Sequence, residues 1–231
     1  MITRFAALAA LSLFATSAQA ATVDFATNFG AALTEGTEIT DFDFGNGLTG
    51  RLTVTGGARE ARIFDTTPGS VGTTSAKQGG GGDEDLASPF TNIDNASDKR
   101  SFGNALIIQE SARKASAIPD DNAGRGTITF AFDRKIDLFS LTYLDGEKGA
   151  VVQVDGNRVG GVARGADNLF DVLTFDEDAA RGIDGFTVVF RGSGAIGAFE
   201  AAPAPVPLPA GAALLVTALA ALAVAKRRRS A

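Results

Sequence analysis

Thr127-Ile128-Thr129-Phe130-Ala131-Phe132 alternates without a break, with Ile128, Phe130 and Phe132 on one face. Successive side chains of extended backbone point to opposite sides, so this period marks a strand buried on one face. The same kind of pattern recurs on either side of it. Downstream, residues 136–144, 151–154, 169–175, 186–190 and 196–199 read as further strands, rich in β-branched and aromatic residues. Asp155-Gly156-Asn157-Arg158 reads as a tight hairpin turn leading into Val159 and Val162, and residues 146–149 as a second turn.

Upstream, Ile39-Thr40-Asp41-Phe42-Asp43-Phe44 puts Ile39 and Asp41 on one side and Thr40, Phe42 and Phe44 on the other. Leu52-Thr53-Val54-Thr55 alternates too, and residues 59–64 are expected to pair with it across Gly56-Gly57. Residues 104–110 (NALIIQE) form a continuous apolar run ending at a carboxylate, the pattern of a strand buried on both faces. Between these strands, residues 65–100 form a long irregular insertion with Pro68, a glycine run at 79–82 and the triplet Asp83-Glu84-Asp85. Many short strands, frequent turns and no amphipathic helix predict an all-β fold: an antiparallel two-sheet sandwich of jelly-roll type over residues 21–202.

The ends of the chain carry different signals. Residues 1–20 read as a secretory signal peptide, with Arg4 in the n-region, an apolar stretch over 5–15 and Ala18-Gln19-Ala20 as the small-x-small site. Signal peptidase is then a partner, and the mature chain begins at Ala21. At the other end, residues 203–209 hold four prolines and form a stiff linker. Residues 210–225 are an uncharged run of strong helix formers, predicting a C-terminal transmembrane helix. Lys226, Arg227, Arg228 and Arg229 stop it, and the 226–231 tail stays cytoplasmic by the positive-inside rule.

Val206-Pro207-Leu208-Pro209-Ala210, followed by that helix and a terminal arginine cluster, resembles the VPLPA variant of the PEP-CTERM sorting signal. Such signals occur in Gram-negative bacteria that make exopolysaccharide. The resemblance covers residues 206–231 only. It implies recognition and cutting by a membrane-embedded exosortase-type processing enzyme, so that the protein starts at the inner membrane and ends at the cell surface or outside. A plain membrane anchor is the alternative, since it needs the helix and the arginines but not the motif. Residues 103–132 also look like the extracellular sandwich domains often found upstream of such tails, which resemble galactose-binding-like and carbohydrate-binding jelly rolls. That second resemblance rests on loose motifs and implies exopolysaccharide as a partner.

Composition bounds the chemistry. Outside the two terminal segments the chain carries 16 basic and 27 acidic side chains, a net charge of −11. Binding to nucleic acid depends on clustered Lys and Arg, so that partner is excluded. There is no cysteine and no histidine, which removes Ser-His-Asp and Cys-His catalysis and the usual zinc sites. Carboxylate chemistry remains. Glu110, Asp120, Asp121, Asn122 and Asp145, at strand ends and in the intervening turn, form a candidate Ca²⁺ constellation, because hard cations take oxygen ligands from such loops. The triplet after the glycine run is a separate candidate. Glu110 with Asp145 or Glu200 is arithmetically a glycosidase pair. However, the chain has no Trp and one Tyr, and its 17 Phe sit at alternating strand positions that suit a core rather than a sugar platform. The expected function is therefore non-catalytic, with a carbohydrate-active enzyme as the alternative.

Overall fold

The computed structural model describes residues 19–74, 83–111, 118–162, 164–176, 178–206 and Ala218. Ala18, residues 207–210 of the sorting motif, the predicted transmembrane helix apart from Ala218, and Lys226 to Arg229 lie outside the described residues. Among the described residues no helix is long and apolar enough to cross a membrane.

The chain is predominantly β. In order, the strands are β1 (Ala21–Val23), β2 (Thr27–Asn28), β3 (Ala31–Ala32), β4 (Asp41–Asp43), β5 (Thr49–Thr55) and β6 (Ala61–Asp65). After a single helical turn, α1 (Val71–Thr74), and a 3₁₀ turn at Glu84–Leu86 come β7 (Phe90–Asn92), β8 (Lys99–Arg100) and β9 (Asn104–Ile108). Then follow β10 (Gly126–Leu144), β11 (Ala150–Val154), β12 (Asn157–Val162), β13 (Leu169–Thr174), β14 (Ile183–Phe190) and β15 (Ala195–Pro203). All but β2 and β3 belong to one 13-stranded sheet.

The opening stretch is the hinge of that sheet. Residues 127–132 and 136–144, which the alternation separates into two strands, are one 19-residue strand. Its exposed middle, Asp133-Arg134-Lys135, coincides with a register shift between Ala131 and Ile136. Before the shift β10 pairs with β5 and β14; after it, with β13 and β15. The first half of the sheet therefore runs β4-β5-β10-β14-β11-β12. The second half runs β8-β7-β13-β10-β15, with β1 and β9 on the far side of β15 and β6 beyond β9.

Side chains from the two halves meet in one apolar cluster. Phe199 of β15 packs against Phe130 of β10 and Phe186 of β14, with ring centroids 5.4 and 5.5 Å apart, and Phe130 stacks on Phe186 at 4.7 Å. Such geometry adds about 0.5–1.5 kcal/mol per pair to the burial itself. A second cluster covers the other face of the second half, where Leu86 and Phe90 of the long insertion, with Phe102 just after it, pack on Ala105, Ile107 and Phe170. In β9, Leu106 and Ile108 join the first cluster while Ala105 and Ile107 join the second. Within the predicted run 104–110, residues 105–108 are thus buried on both faces, as the unbroken apolarity predicts, while Glu110 at its end is exposed. The insertion is fastened from elsewhere as well: the Glu35 carboxylate accepts from Val71 N at 3.0 Å and from Gly72 N at 2.6 Å, holding α1.

Three expectations need correction. The sheet is mixed rather than wholly antiparallel, because β13 and β7 pair in parallel. Its strands are hydrogen-bonded through β10 into one connected sheet, with a separate two-stranded hairpin, so the two halves are not separate ladders. Finally, β6 does not pair with β5 across Gly56-Gly57; it pairs with β9, so the chain there crosses between the halves. Gly57 accounts for this: at φ +48° it lies so close to the Gln109 carbonyl that a Cβ would sit 2.3 Å from it. The Asp155-Gly156 hairpin is as expected, with φ of 49° and 76° and Val154 opposite Asn157, the geometry of a two-residue primed turn.

Candidate functional site

Because β10 bends, both of its termini reach the same end of the molecule. Gly126 pairs with Phe190 and Leu144 with Ala195, on either side of the turn formed by residues 191–194. The loops before and after β10 therefore converge on that turn, and their carboxylates come with them.

Asp121 is placed by an isolated bridge to Gln109, just past β9, and is 4 % exposed. Its Oδ2 accepts from the backbone N–H of Gly194 and from the Ser193 hydroxyl at 2.7 Å. The same hydroxyl lies 3.2 Å from Oδ2 of Asp145, which is wholly buried, so one proton serves two carboxylates. Asp145 Oδ1 accepts from Asn168 N at 2.9 Å. From the insertion, Asp83 joins the pair: its Oδ2 accepts from Asp121 N at 2.9 Å, and the two carboxyls hydrogen-bond to each other. Position 194 must be glycine. With φ at +142°, a Cβ there would stand 2.3 Å from the Tyr143 hydroxyl, which donates to Ser193 O at 3.3 Å.

Beside this buried group, one carboxylate oxygen each of Asp85, Glu147 and Asp167 lie within 4.8 Å of one another. Asp85 and Glu147 are half-buried and Asp167 is exposed. The only buried side-chain polar atom left without a partner among the described residues, Asn168 Oδ1, belongs to the residue next to Asp167.

The electrostatics follow from packing like charges in a dry place. Burial above all, then the hydrogen bond and charge of Asp121, raise the Asp83 carboxyl. Asp121 is raised as well, burial outweighing the donors Ser193 and Gly194. Asp145 is pushed up to about 7, again by burial first. Glu147 is raised by its hydrogen bond to Asp167. By itself the cluster binds protons. A divalent cation reverses that preference, because its charge favours ionised carboxylates.

Of the five residues expected to hold Ca²⁺, the structure brings Asp121 and Asp145 together. Asp120 is buried nearby, its N–H donating to Gln109 Oε1 at 3.3 Å. Glu110 is exposed and takes part through its backbone, donating to Asp120 O. Asn122 closes a local turn by accepting from Gly124 N at 3.1 Å. The acidic triplet, a separate candidate in the sequence, supplies Asp83 and Asp85 to the same cluster. Glu147, Asp167 and Ser193 carry no signal in the sequence: each sits in a turn of ordinary composition. The chain matches no known protein family, and no curated protein is similar to it.

Proposed function

We propose that the chain is an exported, non-catalytic β-sandwich protein of jelly-roll type, delivered to the cell surface by a VPLPA-type sorting tail. The two halves of the sheet, continuous through β10, would serve as the layers of such a sandwich, with a structural or adhesive role within a polysaccharide matrix. The observation that carries the reading is where the two ends of the folded unit lie. In β1, Ala21 pairs with Ala201, while Pro203 at the end of β15 pairs with Ile136 beside the bend of β10. The mature N-terminus and the Pro-rich linker therefore leave from the same end. The carboxylate cluster lies at the other end, facing away from any membrane into which the tail inserts.

Intact mass of the protein isolated from its own cells tests this reading, compared with a Pro207→Ala, Pro209→Ala variant. Loss of the tail in the native protein and its retention in the variant are expected. An unprocessed tail in both would leave a simple membrane anchor. Hydrolysis of any polysaccharide by the purified mature chain would overturn the non-catalytic reading.

The donor set favours a second element of function, a Ca²⁺ ion at the carboxylate end. Asp85, Glu147 and Asp167 would hold it, with Asn168 Oδ1 as a neutral oxygen and the Asp83–Asp121–Asp145 group behind them. The donors are all oxygen, as a hard cation prefers, and they come from separate loops. Ca²⁺ would supply charge neutralisation and would cross-link the insertion to the turns of the sheet.

A further inference from the structure

The outer face of the first half of the sheet holds a second feature, independent of the carboxylates. An open cleft of about 510 Å³ is lined by Thr55, Thr127, Val189, Arg125 and Arg191. Gly126 is in register with Phe190, so Arg125 and Arg191 follow as the next cross-strand pair, on the same face as Thr127 and Val189. Like charges directly opposite one another destabilise a ladder. Here nothing offsets them: among the described residues neither guanidinium has an ion-pair or hydrogen-bond partner. Both are exposed, in a folded unit whose net charge is strongly negative.

The floor beside them is made of hydroxyls. Thr55 and Thr127 are hydrogen-bonded through Oγ1 at 2.9 Å, and Thr129 and Thr187, further along the same face, at 2.9 Å. A second shallow cleft of about 310 Å³ begins at Thr129 and Thr187 and runs past Gln153 to Asp155 and Asp184. The face is thus a strip with two cations at one end, hydroxyls and an amide along it, and at the other end Asp155 and Asp184, the latter ion-paired with Lys135 at 3.1 Å. From residue 125 to residue 131 it spans roughly 20 Å, at about 3.4 Å per residue of antiparallel strand.

We propose that this strip binds an acidic polysaccharide, a glycan chain with sparse carboxylates. One carboxylate sits between Arg125 and Arg191, where planar guanidinium groups match its geometry. The neutral hydroxyls of the following sugars lie over the threonine rows. A nucleic acid fits poorly, because its dense phosphates would meet Asp155 at the far end and the negative charge of the folded unit as a whole. A peptide would find no apolar pocket. The inference deepens the matrix reading above and rests on it for the choice of partner.

Calorimetry on the mature chain isolated from cells tests it, with highly methyl-esterified pectin, in which most galacturonate carboxylates are capped, as the probe. EDTA is included so that calcium cannot bridge the polymer to the carboxylate end. The pectin is expected to bind and neutral dextran not to. An Arg125→Gln, Arg191→Gln double variant should bind at least tenfold more weakly, with a melting temperature equal to or above the parent's, since a like-charge pair is removed. No binding of the pectin, or equal binding by the variant, overturns the proposal. Galacturonic acid monomer binding as tightly as the polymer would reduce the cleft to a small-anion site and also overturn it, as would tighter binding of duplex DNA. Tail processing is read separately by mass, so failure here leaves the sorting reading standing.

Discussion

The phenylalanine cluster between the halves of the sheet and the carboxylate cluster at the turn between β14 and β15 share a sealed centre, with Phe130 and Asp145 both at 0 % exposure. They differ in what burial does. Removing Phe130, Phe186 and Phe199 from water is favourable in itself and needs no partner beyond other apolar atoms. Removing Asp83, Asp121 and Asp145 from water is unfavourable unless protons or a cation neutralise them. The first region therefore specifies the fold whatever the solution contains, and the stability of the second depends on what it binds.

Three changes would break or sharpen that contrast. Phe199→Ala should cost about 3–5 kcal/mol, since it empties the centre of the aromatic cluster, and the loss in a denaturant titration should be the same in calcium and in EDTA. A calcium-dependent loss would mean that the two regions are not separable. Asp167→Asn is expected to behave in the opposite way. The side chain is exposed, so stability in EDTA should stay within about 0.5 kcal/mol of the parent. The gain from calcium, about 2.7 kcal/mol at a hundred times its dissociation constant, should disappear. A calcium gain that survives the substitution would place the ion elsewhere or nowhere.

The smallest change, per unit, is a pH dependence. Asp145 titrates near 7 in the folded chain and near 4 when unfolded. The folded state then holds the extra proton between those values. Its contribution is fully present below pH 4 and is lost as pH rises through about 7, at a slope of up to about 1.4 kcal/mol per pH unit. In EDTA the melting temperature should fall from pH 5 to pH 7; a flat or rising profile would contradict the burial of this carboxyl. In calcium the fall should be offset, because the ion binds the ionised form.

The same contrast explains which parts of the molecule were legible in the sequence. Alternation at 127–132 and the apolar run at 104–108 follow from local geometry, and both strands stand where the pattern puts them. The pairing of β6 with β9 rather than with β5 is not local, because the backbone approach of Gly57 to Gln109 appears only once both are folded. The bend of β10 was hidden for a related reason: charged Asp133-Arg134-Lys135 reads as a break between strands, yet the ladder continues through it. At the carboxylate end, Asp121 and Asp145 stood out because they flank strands. Ser193 and Glu147 gain their meaning only from loops brought together across more than forty residues, as the Ser193–Asp121 and Ser193–Asp145 contacts are.

The pairing of β1 with β15 has a consequence for biogenesis. Ala21 to Val23 meet Phe199 to Ala201, so β1 cannot pair until β15, at the far end of the described strands, has been made. For an exported chain, as proposed above, that edge of the sheet would stay open until residues 195–203 had left the channel. Contacts of such long sequence separation form slowly. On that reading the topology would itself delay closure of the sheet until translocation is almost finished.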